Sequence, residues 1–487
     1  MRLSILDAKN ITYPHDIDIR IHILDDGRRE KMKQMAEAEG VHYITRENNI
    51  GFKAGNLRNA LEQTSGDFIV ICDADTRPFP TILENTLGYF RDPDVAWVQT
   101  PQWFFDIPAG RSLDTVLGSY VGAPGRWLGK LIQKFFGSIT LGKDPFDNDP
   151  KMFYDVIQRR RNAFNASFCC GAGSIHRRDA VMEAALKSYA NQINQSVENI
   201  AKTVPDQELR EILSGEMHRV HALETEITPY KFHVSEDIYT SIVLHGDQAR
   251  NWKSVYHPQI ETKMLSPQDL QTWIVQRYKY AGGTIDIGLH DNPIFRPGMS
   301  LGQKLMYAAT FWSYLAGVWN VIFLAAPIIY LFSGIAPVSA YSSEFFVRIL
   351  PFLILNELSM MVGTWGVENH RGKAYYLAFF PVNLRALWTV LKNEKISFPT
   401  TPKDRQDGTF LNLIRIQIAV IIVTIIAIIY GLVSWQFGGT YTELSALIAN
   451  SFWGMNNILS LMVIVKAATW KPHSSKSAEP AVKFAEA

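Results

Sequence analysis

Cysteine is scarce: three residues, Cys72, Cys169 and Cys170, in a chain of 487, with no CxxC pair. That excludes a disulfide framework and suits a reducing compartment. Net charge is scarce too. The formal value is +1, with no basic surplus to suggest nucleic acid, and no nucleic acid is expected as a partner. The first 297 residues contain no apolar run long enough to cross a bilayer, and no segment near Met1 reads as a signal peptide.

The mean hydropathy of -0.03 hides a division into two halves. From Ala308 onward the chain carries long apolar runs, and four of them approach the ~20 residues that a spanning helix needs. They lie at 308–333, 345–366, 411–435 and 446–467. The loops 335–344 and 436–444 contain no lysine or arginine, whereas the connection between the second and third runs holds Arg371, Lys373, Arg385, Lys392, Lys395, Lys403 and Arg405. The positive connection is expected on the cytoplasmic side, and with four spans the N-terminal half falls there with it. The expected location is the inner membrane, as a multi-pass protein. Asn356 and Glu357 sit within the second run, where ionisable groups usually face a polar path.

In the charged half, IRIHILDD (19–26) and DFIVICDAD (67–75) read as strands ending in acid, with a helical pattern at 28–40 between them. This is βαβ organisation, in which ligands collect at the carboxyl ends of strands, so both acidic clusters are expected at one crevice. Asp73 and Asp75 form a DxD pair whose spacing suits a hard divalent cation. Taken singly, each feature has a plain structural reading. DxD and Asp25-Asp26-Gly27 are common turns, Lys53-Ala54-Gly55-Asn56 is a helix entry, and Glu236 with Asp237 caps a helix through the macrodipole. The functional reading of Asp237 is a general base.

In order, LDDG (24–27), KAGN (53–56), DAD (73–75), VQTPQ (98–102), FCCGAG (168–173), SED (235–237) and QRYKY (276–280) resemble the motif series of processive family 2 glycosyltransferases, and bacterial cellulose synthase catalytic subunits in particular. The resemblance implies an α/β GT-A (Rossmann-like) cytoplasmic domain over 1–297, then an α-helical transmembrane channel domain over 298–470 with about four spans, and a disordered tail over 471–487. It implies nucleotide contacts at Asp25, Asp26, Lys53 and Asp73. Mg²⁺, with Mn²⁺ as the alternative, is implied at Asp75 and Asp73. Asp237 becomes the catalytic base beside Glu236. The cluster at 272–283 resembles the QxxRW motif on an interfacial helix, giving Gln276, Lys279 and Tyr280 as acceptor contacts, with Lys for Arg and Tyr for Trp. Lysine keeps the charge but loses the two-pronged grip on phosphate. Cys170 and Gly171 match the FFCGS acceptor stretch. FPTTPK matches the FxVTxK gating loop, expected over 393–408, through Phe398, Thr401 and Lys403.

The same resemblance sets further expectations. RLSILDAKNITYP at the start reads as the helix after a first strand, so that strand and upstream spans are expected to be missing. The tail after Trp470 leaves no room for a cyclic di-GMP-binding domain within this chain. An insertion over about 181–232 reads as two amphipathic helices broken at Pro205, a docking surface for an accessory subunit or for self-association. VLGSYVGAPGRWLGKLIQKFFG (116–137) reads as an amphipathic element on membrane lipid.

The leading functional expectation is processive, inverting transfer from a UDP-sugar, UDP-glucose first, onto a growing polysaccharide of the β-1,4-glucan type, coupled to its translocation. Behind it stand β-1,3- or mixed-linkage glucan, an amino-sugar polymer, a non-processive transferase acting on a lipid carrier, and an inactive membrane scaffold.

Overall fold

The computed structural model describes residues 1–487 other than 108–109, 138, 142–144, 147–149, most of 203–226, 268, 336–342, 368–369, 397–407, 439–443 and 471–487. The gating-loop residues Phe398, Thr401 and Lys403, the second helix expected in the 181–232 insertion and the tail all lie outside the described residues.

The chain enters through α1 (Arg2–Lys9) and a parallel pair, β1 (His22–Leu24) and β2 (His42–Ile44), joined by α2 (Glu30–Glu39). Helix α2 stops at Gly40 in the left-handed region, where glycine carries no Cβ penalty. Next come α3 (Phe52–Glu62) and β3 (Phe68–Ile71). Strand β3 pairs with neither β1 nor β2. It is the edge of a mixed four-stranded sheet completed by β5 (Val95–Gln99), β7 (Ser174–Arg177) and β8 (Lys253–Tyr256), in the order β8-β5-β7-β3. Every residue of β5 is buried, as a central strand covered on both faces requires. A three-stranded sheet is built from β4 (Arg77–Pro78), β6 (Gln102–Phe104) and β9 (Thr262–Met264). The expected α/β domain is therefore present, but its two acidic strand ends belong to separate sheets.

Between β6 and β7 the chain throws out a helical hairpin, α4 (Leu113–Val121) and α5 (Ala123–Phe136). Helix α6 (Arg178–Ala201) supplies the first of the two helices expected in the insertion. It covers the sheet together with α7 (Glu236–His245), around a core that includes Trp97, Val181, Leu244 and Trp252.

Helix α8 (Leu270–His290) joins the two halves. Asp269 caps it by accepting from the Thr272 amide at 2.8 Å, one of the donors a helix start leaves without an intrahelical partner. Beyond it the chain is helical: α9 (Leu301–Tyr314), α10 (Ala316–Ser333), α11 (Ser343–Gly363), α12 (His370–Ala378), α13 (Phe380–Leu391), α14 (Arg415–Gln436) and α15 (Leu444–Thr469). The first expected span is broken at Leu315, so α9 precedes α10 as a separate helix. Among the described residues, three segments are long and apolar enough to cross a membrane: Ala316–Ser333, Leu411–Gln436 and Leu444–Thr469.

These three overlap the first, third and fourth of the expected runs. Helix α11 matches the second predicted run in length but carries Arg348, Pro351 and Glu357, which lower its hydropathy. Asn356 and Glu357 do not face an enclosed path; both are exposed, and Lys373 donates to both Glu357 oxygens at 2.7 and 2.9 Å.

Candidate active site

The entry to α3 is tied to the first acidic cluster by one arginine. Arg46 donates to both oxygens of Asp26 at 2.6 and 2.8 Å, and to the carbonyls of Ile50 and Phe52. A Cβ on Gly55 would lie 2.0 Å from the Ile50 carbonyl and 2.4 Å from Arg46 Nη1, so the glycine of KAGN makes room for this arginine. Asp25 stands behind it, almost fully buried. Its carboxylate accepts from the amides of Gly27 and Arg29, from the Arg29 guanidinium and from the Tyr43 hydroxyl. Burial alone would raise the Asp25 pKa. The hydrogen bonds led by Arg29 outweigh it and hold the carboxyl below its usual range.

Helix α3 then carries Lys53 to the end of β3, where its Nζ donates to Asp73 Oδ1 at 2.7 Å. The two acidic clusters thus converge through α3 rather than through adjacent strands. Burial would lower the Lys53 pKa, but Asp73, Asp237 and Glu236 together raise it well above the ordinary value. The ammonium is a permanent cation facing three carboxylates.

Glu236 and Asp237 open α7 on the opposite wall. Burial raises the Asp237 carboxyl from 3.8 to about 7, with the Glu236 and Asp73 charges adding to the rise and Lys53 and Lys279 opposing it. A carboxyl poised near neutrality is suited to accept a proton at physiological pH. Gly171 closes the floor of the site with a φ of +82°. A Cβ there would lie 2.8 Å from Asp237 Oδ2 and 3.1 Å from Lys53 Nζ, so a side chain at 171 would push acid and lysine apart. Burial pushes the neighbouring Cys170 thiol up to about 12, which favours its neutral form.

Helix α8 brings Lys279 and Tyr280 within electrostatic reach of Asp237, and Gln276 lies on the same helix, half-buried. The helix comes close because Gly283 faces the loop before α7, where a Cβ would fall 2.0 Å from Ser235 Oγ. Tyr280 feels the charges of both Asp237 and Asp73, yet keeps 40% of its surface exposed. Its exposed ring thus lies within electrostatic reach of the acid.

The DxD carboxylates follow β3 in a tight turn, in which the Thr76 amide donates to the Asp73 carbonyl and the Thr76 hydroxyl accepts from the Asp73 amide. No group of three His, Cys, Asp or Glu side chains that could enclose a metal exists among the described residues. The donor set fits an ion bound by one or two carboxylates and completed by phosphate oxygens and water, as Mg²⁺ prefers.

Several supporting side chains are invisible as sequence signals. Gln99 Oε1 accepts from the Cys170 amide at 2.7 Å, Gln102 donates to the Cys170 and Ala172 carbonyls, and Gln158 donates to Cys170 Sγ. The glutamines of VQTPQ thus hold the loop that floors the site, and that motif was the only hint of them. On the outer side, Asp286 of α8 bridges His233 at 2.8 Å and His290 at 2.7 Å, and His233 accepts the Ser235 amide.

The family model for glycosyl transferase family 2 matches residues 4–184, and that for glycosyl transferase family group 2 matches residues 146–366. By sequence the chain is similar to cellulose synthase-like family 2 glycosyltransferases. It is 27% identical over 483 residues to the cellulose synthase catalytic subunit [UDP-forming] of Pseudomonas fluorescens (strain SBW25), covering 96% of this chain and 54% of the relative. To the cellulose synthase 1 catalytic subunit [UDP-forming] of Komagataeibacter xylinus it is 31% identical over 334 residues, 68% of this chain and 35% of the relative. The corresponding subunit of Xanthomonas axonopodis pv. citri (strain 306) gives 29% over 324 residues, 66% and 34%. The chain thus spans between about a third and about half of the length of these relatives. Together the two family models cover most of the α/β half, in agreement with its GT-A fold, and the second runs on into the helices that follow.

Proposed function

We propose that this chain transfers a sugar from a UDP-sugar, UDP-glucose first, to the end of a growing β-glycan, and that its membrane half passes the product across the bilayer. The observation that carries the reading is the position of Asp237. An acid raised to about 7 is coupled both to the Lys53–Asp73 pair, suited to a diphosphate, and to the partly exposed ring of Tyr280, suited to a sugar face.

In this mechanism Lys53, beside Asp73, lies on the donor side and Lys279 on the acceptor side, both acting on diphosphate charge. The acceptor sugar rests against Tyr280 over the floor formed by Cys170 and Gly171. Asp237 takes the proton of the acceptor hydroxyl as its oxygen attacks the anomeric carbon. The bond to the diphosphate breaks on the opposite face, and an α-linked donor yields a β-linked product. Asp75 and Asp73 would hold a divalent cation, Mg²⁺ first, which when bound disperses the charge left on UDP. Asp25 and Asp26 act from behind by fixing the turn and, through Arg46, the start of α3. The inner membrane is the proposed location, with the α/β half in the cytoplasm; the polysaccharide, lipid, and an accessory subunit or second copy are the proposed partners.

The names of the relatives favour β-1,4-glucan. Lys279 and Tyr280 favour a second reading in which the acceptor ring sits differently and the linkage is β-1,3 or mixed. Radiolabelled UDP-glucose incorporation in membranes with Mg²⁺, followed by linkage-specific glucanases, separates the two. Insoluble product that disappears in Asp237→Asn and yields to a β-1,4-glucanase supports the first reading. Resistant product supports the second, and no product with any UDP-sugar overturns both.

A further inference from the structure

The hairpin α4–α5 plays no part in the site described above, yet its outer face exposes a run of large apolar side chains. Gly125 and Gly129 are buried against α4, where added Cβ atoms would lie 2.3 Å from the Leu117 carbonyl and 2.4 Å from Asp114 Cα. Gln133 donates to Asp114 at 3.0 Å across the hairpin. That packing turns Trp127, Leu128, Leu131 and Phe135 outward, with Trp127 at 66% and Phe135 at 58% exposure. Arg126, Lys130 and Lys134, spaced four residues apart and all exposed, run alongside as a cationic row, and α5 contains no acidic residue.

Both feet of the hairpin stand where the α/β half meets the spanning helices. Before it, Asp106 accepts from the Ser266 amide and hydroxyl, just ahead of α8. After it, Phe146 lies edge-on to Trp273 and Trp470, at centroid distances of 5.6 and 5.4 Å. Phe146 shares a buried cluster with Leu324 of α10 and Leu461 and Ile464 of α15, and Tyr375 donates to the Pro145 carbonyl.

We propose that α4–α5 is a membrane-surface anchor, with Trp127, Leu131 and Phe135 immersed at the acyl boundary of the leaflet on the α/β side and Arg126, Lys130 and Lys134 on anionic lipid headgroups. An apolar face with aromatics beside a cationic row is the chemistry of interfacial helices. A second copy laid on the same face would bring two cationic rows together with no acid on the α5 of either copy to offset them.

The test uses the full chain with Cys72→Ser, in nanodiscs containing phosphatidylglycerol. A nitroxide is placed at Leu131→Cys, at Phe135→Cys, or at the water-facing reference Gln63→Cys, and the chain without added cysteine serves as the blank for the remaining thiols. Retained nanodisc incorporation and elution volume show that each chain is folded. Labels at 131 and 135 are expected to collide more with oxygen than with a water-soluble nickel chelate, the reverse of the label at 63. Adding Arg126→Gln, Lys130→Gln and Lys134→Gln should lower the docked-to-undocked ratio about a hundred-fold, because each cation near an anionic surface contributes on the order of 1 kcal/mol. Nickel access at 131 and 135 without the Gln substitutions would place the face in water and overturn the proposal. Shielding from both reagents would also overturn it, and would assign the face to a protein partner or second copy.

Discussion

Asp25 and Asp237 are both acids at helix-leading turns in the α/β half, yet their surroundings drive them in opposite directions. Around Asp25 four donors converge, and their hydrogen bonds outweigh the cost of burial. Around Asp237 burial acts together with a second carboxylate, Glu236, and the lysines only partly offset them. Burial alone therefore does not mark a reactive acid; the supply of donors decides. Asp25 holds a turn in place, and Asp237 is left able to exchange a proton near neutral pH.

The largest expected effect is that of Asp237→Asn, which should lower polymer formation by about 100- to 10,000-fold, the range of a general base, while nanodisc-reconstituted protein melts no earlier. Incorporation assays and a thermal melt check both halves of that statement. Next is Lys53→Met, which should reduce turnover and also move the acidic limb of the pH profile above its expected position near 7, because Lys53 is one of the charges that lower the Asp237 pKa. A limb that stays in place would remove the coupling inferred between them. Asp25→Ala should act on stability instead, at about 1–3 kcal/mol for the donors left unsatisfied, read as a lower midpoint in denaturant with the pH limb unmoved. The smallest effect is that of Glu236→Gln, which should shift the limb downward, since the charge removed is one that raises Asp237.

The two acids also give opposite pH dependences of stability. The folded pKa of Asp25 is lowered, so its contribution is present above the ordinary carboxylate range and is lost in acid. That of Asp237 is raised from 3.8 to about 7, so it destabilises the fold progressively as pH rises across that interval. Melts of Asp25→Asn and Asp237→Asn should both converge on the unsubstituted chain in acid and diverge from it in opposite directions as pH rises, Asp25→Asn falling below it and Asp237→Asn rising above it towards pH 7.

Lys53, Asp73, Gly171, Asp237 and the α8 cluster could be read from the sequence because each sits in a short motif and the motifs occur in a diagnostic order. The two-half organisation was legible from where the apolar runs begin. What the sequence did not disclose depends on residues distant along the chain. Gln158 reaches Cys170 only after the chain folds back, and Asp286 meets His233 across 53 positions. The separation of β1 from β3 was likewise hidden, because local patterning identifies strands but not their partners.

Helix α8 is held at two places, by Trp273 in the cluster that includes the spanning helices and by Gly283 against Ser235. Ten residues of α-helix separate them, about 15 Å, with Lys279 and Tyr280 in between. A stiff beam clamped at both ends passes on displacement rather than absorbing it. The bilayer undulates constantly, but the gap from Tyr280 to Asp237 is gauged from this beam and not from the lipid, so the proposed sugar platform and the proposed proton acceptor ride together as one instrument.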